Sequence, residues 1–103
     1  MTGKGEFRYI SIVFAAVICE FSSDDHGAAV SELLNQYGFK PTLKNGFEST
    51  SINEVSLNRL KKDIDKVTDS YDIIRFYQYP IDNGLVITSL KDKKWRRIKL
   101  KGT

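Results

Sequence analysis

YISIVFAAVICEF, residues 9–21, is an almost unbroken apolar run that holds the chain's single cysteine, Cys19, beside a carboxylate, Glu20. Three readings compete for it: the core of an export signal, a buried helix, or a buried strand. Residues 7–18 are rich in Ile, Val, Phe and Tyr, which favour strands because branched and aromatic side chains pack well on a pleated surface. The first strand is therefore expected at about 7–19. An export signal fits poorly, because Glu6 sits where such a signal is positive and Glu20 and Phe21 interrupt any small-x-small cleavage site. The even positions read Ile10, Ile12, Phe14, Ala16, Ile18 and the odd positions Tyr9, Ser11, Val13, Ala15, Val17. Neither face is polar, so a strand of this kind needs cover on both sides.

Outward from that strand, SSDDHGAAVSELLNQYGF offers N-cap chemistry at Ser22 to Asp25 and apolar residues at helical spacing in Val30, Leu33, Leu34 and Tyr37. A helix is expected at about 25–37, with Gly38 as its stop. Asn45-Gly46 is a two-residue turn signal, which places short strands at about 39–44 and 47–50, the first an edge or irregular strand because of Pro41. Ser51 or Asn53 caps a second helix at about 53–69, with Leu57, Leu60, Ile64 and Val67 on one stripe. YDIIRFYQY (71–79), GLVITSL (84–90) and WRRIKL (95–100) read as strands. At 103 residues the chain is one domain, with a core over 7–80 and a basic strand extension over 81–103. The order of elements is the split βαβ, ferredoxin-like α+β plan. Its two helices cover only one face of the sheet, so the doubly apolar first strand implies a homodimer packed sheet to sheet, or a comparable partner.

The charge is uneven. Residues 91–103 carry seven Lys or Arg and one Asp, whereas residues 1–90 carry nine basic and twelve acidic groups. A local basic patch of this kind attracts polyanions, nucleic acid above all. One cysteine excludes an internal disulfide and fits a reducing compartment, so a cytoplasmic location is expected. One cysteine and one histidine also argue against a zinc site within one chain. No segment reaches the roughly 18 apolar residues that span a bilayer, so no membrane partner is expected.

These residues resemble the Cas-two family, the small CRISPR-associated adaptation protein of antiviral defence. The likeness rests on the apolar first strand, the helix ending LLNQYGF, the strand containing Phe47-Glu48, the helix LNRLKKDID, DIIRFYQY, and the closing LVITSLKDKKWRRIKL. It covers roughly residues 7–100. The resemblance implies a ferredoxin-like homodimer that acts as the scaffold for spacer acquisition, bound to a Cas-one integrase and to duplex nucleic acid. Some members of the family are described as magnesium-dependent endonucleases of RNA or DNA, with an Asp at the end of strand one paired across the dimer axis around Mg²⁺. In this sequence that position falls on Cys19, and Glu20, one residue on, is the nearest carboxylate. Alternation sends neighbouring strand residues to opposite faces, so Glu20 replaces that Asp only if the strand is bulged there.

The expectations for a site follow. Lys91, Lys93, Lys94, Arg96, Arg97 and Lys99, set around Trp95, are candidates for phosphate contact, and Arg75, in the strand at 71–79, is a candidate for phosphate contact or for pairing with an acid. Arg75 shares a face with Tyr77 and Tyr79, a possible platform for RNA bases, although the aromatic-glycine pattern of RNA-recognition motifs is absent. Glu20 is the candidate catalytic and Mg²⁺-binding carboxylate. Asp24 and Asp25 read as helix N-terminal residues first and as extra ligands second. Cys19 reads as a small buried hydrophobe and His26 as a surface helix residue. The favoured function is a duplex-binding scaffold. The alternatives are a nuclease using Glu20, and a ferredoxin-like regulatory or interaction module without nucleic acid.

Overall fold

The alternation read in the first strand holds in space. The computed structural model describes residues 12–101, so the expected segment 7–11 of that strand lies outside the described residues. Eight elements follow one another: β1 (Ile12–Glu20), α1 (Asp24–Gln36), β2 (Lys40–Leu43), β3 (Gly46–Asn53), α2 (Glu54–Lys66), β4 (Ile73–Ile81), β5 (Gly84–Lys91) and β6 (Lys94–Lys101). Val13, Ala15, Val17 and Cys19 are buried, whereas Ile12 and Ile18 are each 52% exposed. The strands form one antiparallel sheet in the order β2-β3-β1-β4-β5-β6. This is an α+β architecture compatible with a ferredoxin-like fold, with β1 inside the sheet as expected. Among the described residues, only one face of the sheet carries helices; the cover expected for the other face is that of a partner. The extra strands β5 and β6 prolong the sheet beyond β4 and add no second layer.

Val30 and Leu34 of α1 and Leu57, Leu60 and Ile64 of α2 join the inward residues of β1, β3, β4 and β5 in one core. Phe39 and Phe76 are its largest buried side chains, and burying such a ring contributes about 2–3 kcal/mol. Ser23 caps α1, accepting from the His26 amide at 3.2 Å, and Asp24 and Asp25 occupy the first turn, where the helix dipole favours negative charge. Of the two caps considered for α2, Asn53 is the one used: it accepts from the Ser56 amide at 2.8 Å. The helix stops at Lys66, short of the expected 69. There the Thr68 hydroxyl donates back to the Ile64 carbonyl at 2.9 Å, competing with further turns.

The turn between β2 and β3 is centred on Lys44-Asn45 and not on Asn45-Gly46. Gly46 is already the first residue of β3, paired with Leu43, and Asn45 alone takes the positive φ, 60°. Asn adopts the left-handed region nearly as well as Gly, so the same two letters permit either frame. Pro41 lies on the edge strand, and the register slips just after it, as its missing amide requires. The two C-terminal hairpins turn on Asp82-Asn83 (φ 49° and 62°) and Asp92-Lys93 (φ 54° and 61°). Two positive φ values in a two-residue loop match the twist of the flanking strands. Gly84, opposite Lys101, is required by close approach: a Cβ there would meet the Leu100 carbonyl oxygen at 2.5 Å. No helix among the described residues is long and apolar enough to cross a membrane.

Candidate functional site

The face of the sheet turned away from the helices is built in rows. Opposed residues in antiparallel strands share a face. Ile18, Arg75, Ser89 and Arg96 thus lie in line across β1, β4, β5 and β6. Beside them Glu20 faces Ile73, and Lys91 faces Lys94. The next row runs Ala16, Tyr77, Ile87, Ile98, and beyond it Phe14 pairs with Tyr79 and Leu85 with Leu100. The open face therefore divides: one end carries Arg75, Lys91, Lys94 and Arg96, and the other carries exposed apolar and aromatic side chains. Ile98 and Leu100 are 53% and 52% exposed, and Tyr79 53%. The boundary is marked by the Arg75 guanidinium, 5.6 Å from the centre of the Tyr77 ring, a cation–π contact. A shallow concavity of about 410 Å³ lies there, between Glu20, Arg75, Tyr77 and Lys91.

The basic residues singled out in the sequence do not act alike. Lys93 leaves the group. Its ammonium donates to the carbonyls of Asp65 (2.5 Å) and Thr68 (3.1 Å) and pairs with the Asp65 carboxylate at 2.8 Å, so it closes the C-terminal end of α2. Lys99 pairs with Asp82 at 3.0 Å, and that contact with the lysine holds the Asp82 carboxyl below its usual range. Arg75, Lys91, Lys94, Arg96 and Arg97 make no ion pair among the described residues. Arg97 alternates away from Arg96 onto the helix side, opposite Thr88.

The structure answers the question of the strand bulge. Pairing of β1 with β4 is continuous from Phe14 to Glu20, and the one slip in β1, against β3, lies between Val13 and Ala15. Glu20 therefore points to the open face, and Cys19 points into the core at 4% exposure. Burial pushes the Cys19 thiol up to about 12, so it stays protonated and unreactive at neutral pH. Around Glu20 the donor set does not fit Mg²⁺ within one chain. It supplies a single carboxylate, flanked by Arg75 and Lys91, and a hard dication asks for several oxygen ligands.

A second cluster escaped sequence reasoning. Asp72, 0% exposed, joins the end of β1 to the start of β4. Its carboxylate accepts from the Ser22 amide (2.7 Å), the Ser22 hydroxyl (2.9 Å), the Asp69 amide (2.9 Å) and His26 Nδ1 (2.7 Å). Burial raises its pKa, but these hydrogen bonds outweigh burial and hold the carboxyl below its ordinary value. His26, Asp69 and Asp72 bring ligand atoms within 4.8 Å of one another, a group that could hold a metal ion. The Asp72 oxygens are already engaged by four donors, which makes the cluster a structural tie first. Both Ser22 and Asp72 approach the same ring nitrogen, Nδ1, so the group lacks the arrangement of a catalytic triad, in which serine and carboxylate use opposite nitrogens. The signal missed in the sequence was TDSYD, residues 68–72, which the sequence reading divides between the end of the helix at about 53–69 and the start of the strand at 71–79.

Comparison with family models, with curated proteins and with solved structures gives no match for the chain.

Proposed function

We propose that this protein is a nucleic-acid-binding scaffold that works as a homodimer, of the kind the Cas-two resemblance implies: an adaptation component of CRISPR defence, holding duplex DNA or RNA by its phosphates beside an integrase. The observation that carries the reading is the divided open face. Its apolar end, with Phe14, Tyr79, Ile98 and Leu100 exposed, suits a second copy packed sheet to sheet. Its basic end offers Arg75, Lys91, Lys94 and Arg96 with no carboxylate partners among the described residues. Two copies related by a twofold axis present two such ends to one duplex. Contacts of this kind read the backbone and not the bases.

The test is binding to a labelled duplex across a salt series, with the oligomeric state measured alongside. Each neutralised phosphate contributes about −0.9 to the slope of log K against log salt, so four groups per subunit predict a steep fall for a dimer. Binding indifferent to salt, or none at low salt, would turn the assignment toward an interaction module without nucleic acid.

The nuclease reading rests on the exposure of Glu20 on the open face, where two copies could approach around Mg²⁺. If so, Mg²⁺-dependent cutting of the duplex is abolished in Glu20→Gln while binding persists. Cutting that survives the substitution removes Glu20 from the reaction.

A further inference from the structure

On the opposite side of the sheet, α2, β5 and β6 enclose a cleft whose charge has no protein partner among the described residues. Its floor is polar where the core should be apolar. Gln78 and Thr88 occupy inward positions of β4 and β5 at 1% and 7% exposure, next in alternation to Phe76 and Leu90. The Gln78 amide donates to the Val86 carbonyl (3.1 Å) and to Thr88 Oγ1 (3.0 Å), and its oxygen accepts from the Lys61 ammonium at 2.6 Å. Lys61 also reaches Thr88 Oγ1 at 3.4 Å and lies 5.4 Å from the centre of the Phe76 ring. Thr88 Oγ1 thus accepts twice, and its proton has no acceptor among the described residues. A buried hydroxyl ordinarily spends that donor.

Lys61 is partly buried, and Arg97 lines the same cleft from β6. Neither forms an ion pair among the described residues. Glu54 stands at the cleft without pairing with either. Desolvating a cation next to a second cation is costly unless an anion joins them. Lys61, Thr88, Arg97 and Asn58, each with a side-chain donor, line a space of about 190 Å³. Four donor groups from three elements suit a tetrahedral anion better than a planar carboxylate, and the guanidinium fork fits phosphate oxygens two at a time. A second hollow of about 590 Å³ continues from this one past Trp95, whose ring leans on Phe76 at 6.4 Å. A flat apolar group attached to the anion would lie there.

We infer that the Lys61–Arg97 cleft is a binding site for a phosphomonoester, its phosphoryl group held by Lys61, Thr88 and Arg97 and its aromatic part lying along Trp95. A free nucleoside monophosphate and the 5′-phosphorylated end of a strand share this chemistry. The phosphoryl pocket lies on the face away from Arg75, and although Arg96 borders the outer hollow from the edge strand, Lys61 and Thr88 have no part in the duplex-binding reading, so the two are tested apart.

Calorimetric titration of the full chain with AMP and with a 5′-phosphorylated dinucleotide, each against its dephosphorylated form, tests it. Saturable binding that requires the phosphate is expected, weakened at least tenfold in Lys61→Met and in Arg97→Gln, since each removes a charge-assisted hydrogen bond to the phosphoryl group. Lys66→Met, in a different hollow between α1 and α2, is expected to bind as the parent does. AMP binding identifies a free nucleotide as sufficient, and binding of the dinucleotide alone identifies a strand end.

Protonation gives a further readout. Burial, then Arg97, brings Lys61 down to about 8, against a smaller upward pull from Glu54. Asp65 and Lys62 flank the outer hollow from α2 and Arg96 from β6, and β4 and β5 present only neutral Gln78 and Thr88. An anion favours the charged lysine, so at pH 8 binding takes up protons and its heat depends on the buffer. That dependence is expected to vanish in Lys61→Met. Equal binding of adenosine and AMP, no saturable binding, or unchanged affinity in both Lys61→Met and Arg97→Gln would overturn the proposal.

Discussion

Replacing Asp72 by alanine is expected to lower the free energy of unfolding by about 3–5 kcal/mol. The carboxylate accepts four hydrogen bonds at 2.7–2.9 Å. Its loss takes the acceptor from the Ser22 and Asp69 amides, both in part-buried hydrogen bonds, and a hydrogen bond to a charged group is worth about 1.5–3 kcal/mol. Asparagine keeps one oxygen but turns an NH₂ toward donors, so it is expected to recover only part of the loss. Denaturant titration reads the effect as a lower midpoint at unchanged slope. The pH dependence follows from the direction of the shift. The folded carboxyl sits below its ordinary value. Its contribution is therefore complete above about pH 5, declines as the pH falls through the unfolded value, and is gone below the folded one. The parent and Asp72→Ala stability curves are expected to converge in that acid range. Curves that stay parallel, or a loss under 1 kcal/mol, would show that the tie between β1 and β4 does not depend on this carboxylate.

The second large effect is expected on binding. Charge reversal at both Arg75 and Arg96 should weaken duplex affinity about a hundredfold near 0.1 M salt and flatten the salt slope, because two phosphate contacts in one row become repulsions. Both side chains are exposed, and neither supports the core, so the thermal midpoint is expected to hold. Lys93→Ala supplies the contrast. Its ammonium is spent on α2, so it should cost stability and leave the salt slope nearly as it was. If Lys93→Ala weakened binding as much as the double reversal, the tail would be acting as an undivided basic patch and not as a placed row.

Much of the architecture was legible because it rests on periodicity. The Ile/Val/Phe run of β1 has a two-residue alternation, and Leu57, Leu60 and Ile64 have a helical one, so strand and helix separate cleanly. What alternation could not tell is which apolar face lacks cover. Ile12, Phe14 and Ile18 look the same in sequence as Val13 and Val17. The turn at Lys44-Asn45 was displaced by one because Asn and Gly tolerate the same backbone. The candidate site was legible in type and not in detail. Consecutive Arg96 and Arg97 read as one patch, yet the pleat assigns them to opposite faces. Lys93 read as one more cation, and only the packing of the last hairpin against the end of α2 reveals its partners. Asp72, Gln78 and Thr88 were missed for a shared reason: a buried polar residue declares itself through partners far away in the chain. In Gln78 and Thr88 a faint signal was present, an inward strand position filled by an amide and a hydroxyl.

β6 is a single layer of chain shared by two surfaces. Arg96 belongs to the open face and Arg97 to the cleft, with one peptide bond between them. Holding the strand in register for an occupant on one side sets its position on the other, and the entropy of ordering it is spent once. Thermodynamic reciprocity then fixes a relation between the occupants. By whatever factor a phosphomonoester changes the affinity for duplex, the duplex must change the affinity for the phosphomonoester by the same factor.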